Sequence, residues 1–293
     1  MRLVLLGLAV VAGAVSSPAM AGELPDIFDS GKLLATSGVS QLEGAGGGGL
    51  ASWALITGYG TRNGVGANVH YTGVALPDYR LDSMGAAVGL FDRVELSYAW
   101  QGFDTQGVGA ALGLGKGYTF HQNIFGAKLK LIGNAVYDQD TWLPQLSIGL
   151  QHKENDRGAI IAAVGGKGAV GTDFYLAASK LFLAQSLLVN ATVRETRANQ
   201  LGILGFGGDR HGDYSTQFEG SAAYLISRNF AVGAELRTKP SNLKIAHEGD
   251  AWDLFAAWFV NKNLSVTLAY ADMGNIVIRN NQHGAYLSVQ TGL

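Results

Sequence analysis

The stretch EGSAAYLISRNFAVGAEL, residues 219–236, decides the fold. Read as two runs about a break at Ser227, Arg228 and Asn229, it sets Ile226 opposite Phe230, Tyr224 opposite Val232, Ala222 opposite Ala234 and Gly220 opposite Leu236. The apolar side chains then share one face, as the period of two of a β-strand requires. Two further stretches repeat the pattern. MGAAVGLFDRVELSYAW, residues 84–100, breaks at Phe91, Asp92 and Arg93 and faces Leu90 to Val94 and Val88 to Leu96. DAWDLFAAWFVNKNLSVTLAY, residues 250–270, breaks at Asn261, Lys262 and Asn263 and faces Val260 to Leu264, Trp258 to Val266, Ala256 to Leu268 and Leu254 to Tyr270. Three-residue hairpin loops favour a residue tolerant of positive φ near their end, a role expected here of Asn229 and Asn263.

The opposite face of these strands carries Glu95, Ser97, Gln101, Glu219, Ser221, Glu235, Arg237, Ser265 and Thr267 among glycine and alanine. A small, polar face suits a wet lumen, but a soluble sandwich has the same period of two. Loop lengths separate them. Tight turns at 61–64, 91–93, 183–186, 227–229 and 261–263, and a longer one at 133–141, alternate with connections at 43–49, 76–78, 102–121, 153–172, 197–215, 239–249 and 274–284. Those connections are polar or glycine-rich and, except 76–78, longer. Short turns at one rim and long loops at the other mark an outer-membrane barrel. The expected fold is an all-β, antiparallel up-and-down transmembrane barrel of about 14 strands, with about 12 possible because 32–42 and 64–75 are weakly patterned. Tyr98, Trp100, Tyr224, Phe230, Trp252, Trp258 and Tyr270 lie on its apolar face, as membrane-interface girdles do.

The ends and the composition agree with export. Arg2 precedes an apolar run of about 13 residues, too short to span a bilayer, and Ala19-Met20-Ala21 ends it as a cleavage site would. Residues 1–21 are thus expected to be a Sec-type signal peptide, 22–35 a periplasmic segment or plug, and 36–293 the barrel. Of the 293 residues 15% are charged, below the usual share for a soluble domain, and 42 glycines stand against 5 prolines. A net charge of -2 argues against a nucleic-acid partner, and with no cysteine there is neither a disulfide nor thiol chemistry. The C-terminal GAYLSVQTGL alternates Ala285, Leu287 and Val289 against Tyr286, Ser288 and Gln290, like a closing strand read by barrel-assembly machinery, although Leu293 replaces the usual terminal aromatic.

Five stretches carry a resemblance to a known family: SWALITGYGTRNGVGAN from Ser52, GVGAALGLGKGYTF from Gly107, NAVYDQDTWLPQ from Asn134, SKLFLAQSLLVN from Ser179 and ANQLGILGFGGDR from Ala198. The chain resembles an uncharacterised Gram-negative family, a domain of unknown function regarded as outer-membrane β-barrels. The resemblance implies location and fold, and no site residues.

Chemical motifs are weak. Residues 107–119 fail as a phosphate loop, because Ala110 stands where its first glycine belongs and Gly117 follows Lys116. Asp209, His211 and Asp213 alternate within GGDRHGD, but no further ligand cluster accompanies them, so neither a metal nor a cofactor is expected. No serine sits in a nucleophile motif, and the chain reads as a non-enzyme. Glu95, Lys128, Lys130, Arg194, Glu219, Glu235 and Arg237 are the candidate pore-lining residues. Opposed charges there bias which small polar solutes pass, or else pair and lock a filled barrel. The expected function is a porin-like channel. The alternatives are an outer-membrane enzyme with a site at the loop rim and a non-conducting structural barrel. Outer-membrane lipid and lipopolysaccharide are the expected surroundings.

Overall fold

The computed structural model describes residues 27, 28 and 30–293. The expected signal peptide, and residues 22–26 and 29 of the segment after it, lie outside them. Twelve antiparallel strands close into a barrel: β1 (Val65–Ala75), β2 (Arg80–Leu90), β3 (Val94–Asp104), β4 (Thr119–Ile132), β5 (Gln145–Asn155), β6 (Val170–Phe182), β7 (Leu187–Thr196), β8 (Ser215–Ser227), β9 (Phe230–Arg237), β10 (Ala251–Asn261), β11 (Leu264–Asp272) and β12 (His283–Gly292). Each strand pairs with the next, and β12 pairs with β1 to remove the sheet edges. No helix among the described residues is long and apolar enough to cross a membrane.

The hairpin registers match the sequence reading in the body of each strand. Tyr224 faces Val232, Ala222 faces Ala234 and Gly220 faces Leu236. Trp258 faces Val266 and Leu254 faces Tyr270, while Leu90 faces Val94. The turns differ. β8 and β10 bulge at their ends, so Phe230 pairs with Ser227 and Leu264 with Asn261. Asn229 and Asn263 are not among the positive-φ residues; Phe91 (φ 55°) and Asp92 (φ 50°) are. In the β10–β11 turn the Asn261 side chain accepts the N–H groups of Asn263 (2.8 Å) and Leu264 (2.9 Å), which shapes the turn without a left-handed residue.

Outward positions are apolar and exposed, among them Leu236, Leu254, Trp258 and Leu268. Tyr224 and Trp258 lie near the short turns, and Trp252 meets Tyr270 at 5.8 Å in a tilted pair near the long loops, so aromatics mark both edges of the apolar band.

The strand count is the lower of the two expected, and the reason lies in residues 36–60. Every one of them is buried, and the barrel wall begins at Val65 instead of residue 36. Residues 36–60 run up the lumen from the short-turn rim, turn back through the glycines of 44–49 and descend to β1. Val39 and Ser40 pair with Gly47 and Gly46 in a two-residue ribbon. Thus 43–49 is the tip of an internal plug and no extracellular loop, and 61–64 joins plug to wall. The residues explain it: in LASWALITGYG, apolar side chains fall on both parities, as a segment enclosed on every side requires and a barrel strand forbids.

Candidate functional site: a charged lumen and its internal plug

A segment inside a barrel brings backbone polar groups without a ladder partner, and each must find one. The inward side chains supply them. Glu95 on β3 accepts the N–H groups of Gly46 and Thr57, both at 2.9 Å. Lys128 on β4 donates to the carbonyls of Gly46 and Leu55, both at 2.8 Å, and pairs with Glu95 at 3.1 Å. Glu235 accepts the Leu50 N–H (2.7 Å), and Glu219 the Ser52 N–H (2.6 Å). Ser147 and Gln145 donate to Ala54 O, both at 2.6 Å, and Gln101 donates to Leu42 O at 2.8 Å. Close approach is why the tip is glycine: a Cβ at Gly48 would overlap the Glu235 carboxylate.

Toward the long-loop end six charged groups interlock. Arg194 donates Nε–H to Glu219 Oε1 (2.5 Å), Nη1–H to Gln151 (2.8 Å) and Nη2–H to Ser52 Oγ (2.8 Å), and lies over the Tyr175 ring. Lys153 pairs with Asp173 (2.7 Å) and with Glu43 of the plug. Arg237 reaches Glu43 Oε2 (2.7 Å) and Glu219 (3.4 Å). Three cations meet three carboxylates, so the buried cluster is formally neutral, the condition under which buried charges are tolerated.

Of the candidates named from the sequence, Glu95, Lys128, Arg194, Glu219, Glu235 and Arg237 face the lumen, where they hold the plug instead of lining an open passage. Lys130 sits at the short-turn rim, where it and Lys32 share Asp92 at 2.5 and 2.8 Å. Glu43, Lys153, Asp173 and Ser52 were missed. Lys153 belongs to β5 and Asp173 to β6; a connection drawn over 153–172 takes Lys153 out of the wall and leaves Asp173 as the first residue beyond it. The alternation Gln145, Ser147, Gly149, Gln151, Lys153 is the signal that finds the first of them.

The long-loop end is closed by an apolar cap in which Tyr79, Phe103, Leu201, Ile203, Leu243 and Ile276 gather over Leu42 and Leu50 of the plug. Within it Glu248 accepts the Gln200 N–H (2.8 Å), and Lys239 stands 3.7 Å away. Burial pushes the Glu248 carboxyl up to about 7, against the pull of Lys239, and burial likewise lowers Lys239. A carboxyl raised in the folded state stabilises the cap fully below its unfolded value near 4.5 and loses that contribution as pH rises through about 7. The loss is on the order of 3 kcal/mol. Hydrogen exchange of residues 239–250, corrected for intrinsic rates, should therefore show more protection at pH 5.5 than at pH 8, and Glu248→Gln should flatten the difference. An unchanged pH dependence in E248Q would clear Glu248 of the effect.

Asp209 accepts the Lys244 N–H (2.9 Å), and no group of metal-ligating residues forms among those described. On the outer wall His152 Nδ1 lies 2.9 Å from Thr172 Oγ1 and Nε2 lies 3.4 Å from Glu154, an arrangement with a nucleophile's outline. It falls inside the β5–β6 ladder, whose backbone N–H groups are committed to strand pairing and offer no oxyanion donor.

Fold and lumen together define a closed antiparallel β-barrel of the outer-membrane type with an internal plug. The chain belongs to the family described as Protein of unknown function (DUF3034), which matches residues 36–290. No curated protein matches it. Among solved structures it is similar to "KdgM porin in complex with disordered oligogalacturonate" (12% identity, 76% of this chain and 98% of that one, TM-score 0.50). It is also similar to the COG4313 outer membrane channel from Pseudomonas putida F1 (12%, 78% and 94%, TM-score 0.48). Outer membrane phospholipase A from Escherichia coli follows (9%, 78% and 92%, TM-score 0.39). Likeness at this identity speaks to fold alone.

Proposed function

We propose that the protein is an outer-membrane channel for small polar solutes, closed at rest by residues 36–60, and that it is not an enzyme. The observation that carries this is the chemistry of the wall behind the plug. Glu95, Lys128, Lys153, Asp173, Arg194, Glu219 and Arg237 would leave a hydrophilic passage of mixed charge once the plug withdrew. Withdrawal needs no threading, because both limbs of the plug reach the short-turn rim: Lys32 donates to Ile56 O (2.9 Å), and the Tyr59 N–H donates to Leu293 O (3.0 Å). At rest the gap beside Trp53, Phe255 and Tyr286 measures about 30 Å³, room for about one water. Conduction therefore requires the plug to move and the long-loop cap to part.

Further parts of the reading are a Sec-type export signal over 1–21 that is cleaved, insertion by the barrel-assembly machinery through β12, and lipopolysaccharide around the long-loop rim. That rim is taken to be extracellular and the short-turn rim periplasmic.

The chain has no cysteine, so a reversible lock is easily added. A Cβ on Gly44 would lie 3.0 Å from the Ala99 Cβ, inside the roughly 3.5–4.5 Å a disulfide spans, so the bridge forms once the tip shifts outward by some tenths of an ångström. The left-handed backbone at Gly44 (φ 96°) adds a strain of about 1–2 kcal/mol. In planar bilayers the Gly44→Cys, Ala99→Cys protein should give discrete conductance steps when reduced and almost none when oxidised. Equal conductance in both states would show that the plug is no gate. A folded wild type that never conducts would favour the structural barrel.

A further inference from the structure

We propose that the upper lumen contains a carboxylate-binding site, and that Glu43 of the plug occupies it as the protein's own substitute for a carboxylated solute. Glu43 is the plug's contribution to the six-charge cluster, and the other five members belong to the wall. Without Glu43, Lys153, Arg194 and Arg237 have only Asp173 and Glu219 within ion-pair reach, so this cluster keeps one uncompensated positive charge. That excess sits where water is scarce, and a buried charge needs a partner.

The geometry narrows the partner. Arg237 Nη1 and Lys153 Nζ each take a different oxygen of the Glu43 carboxylate. Two donors addressing two oxygens of one planar group suit a carboxylate better than a spherical halide. A single positive excess matches a monoanion and leaves a dianionic phosphate half compensated. Lys153 also donates to Leu201 O (3.1 Å), and Arg237 Nη1 to Leu50 O (3.2 Å), so the two donors are held from both the cap and the plug. When the plug withdraws, an entering carboxylate takes the place of Glu43, and while it stays it opposes the plug's return. The solute of the channel is thus a small carboxylated molecule that competes with Glu43. This transport consequence rests on the channel reading above; the site itself does not.

Chemical rescue separates the two. In the full chain, Glu43→Ala should lower the midpoint of the heat-dependent gel shift, and acetate should restore much of the loss. Acetamide, which has the shape without the charge, and chloride, which has the charge without the shape, should not. Wild type should be indifferent to all three. If acetate does no better than acetamide or chloride, the site is overturned. Rescue by acetate with no current from either wild type or E43A in a bilayer would keep the site and remove the channel. Should E43A fail to fold, Glu43→Gln keeps the shape and exposes the same positive excess when the plug moves. Its currents should favour acetate over potassium several-fold, and cation-selective or unselective currents would overturn the proposal.

Discussion

Replacing Arg194 by methionine should destabilise the barrel by about 3–5 kcal/mol, the usual cost of removing one member of a buried charge network. Arg194 is the centre of the upper lumen: its guanidinium reaches Glu219 from β8, Gln151 from β5 and Ser52 from the plug, with Asp173 of β6 at 3.6 Å. Methionine fills much of the volume but leaves Lys153 and Arg237 against three carboxylates, one of them without a counterion. The heat-dependent gel shift should move to lower temperature, and bilayer currents should appear more often because Ser52 loses one of its anchors to the wall. The companion Arg194→Met, Glu219→Gln restores neutrality and should recover a large part of the loss, since neighbouring groups of one network are not additive. A double variant as unstable as the single would mean that the individual hydrogen bonds matter and the charge balance does not.

That balance could not have been read from the chain, while the wall could. Alternation fixes which side of a strand faces lipid, because a slip of one residue would turn every side chain over, and Tyr224, Val232, Leu254 and Trp258 lie where alternation puts them. Turn geometry was less legible: Ser227 and Asn261 close their hairpins through bulges, which add a residue without disturbing the pattern that precedes them. The plug was legible least of all. A segment bonded to wall side chains from ten strands has no period of its own, and its glycine-rich tip resembles any surface loop. Glu43, its anchoring carboxylate, stands beside that tip with nothing local to distinguish it, and Lys153 and Asp173 are its neighbours only after the barrel has closed.

The lipid-facing assignment predicts a gradient with depth. Leu268 lies midway along β11, between Ala256 of β10 and Leu287 of β12, and is 59% exposed. Leu264 begins the same strand at the short-turn edge and shares its outward parity. In water both surfaces would be ordinary, and arginine at either would cost little. In a bilayer the guanidinium at the midplane is separated from water by hydrocarbon, whereas at the edge it reaches the headgroups by extending its side chain. Leu268→Arg should therefore cost about 2–4 kcal/mol and Leu264→Arg only about 0–1 kcal/mol, measured as folding equilibria into lipid vesicles. The comparison isolates depth, since residue type, strand and face are shared. Equal losses at the two positions would mean that no hydrocarbon covers this face, and with it would go the membrane assignment on which the lumen, its plug and its proposed solute all depend.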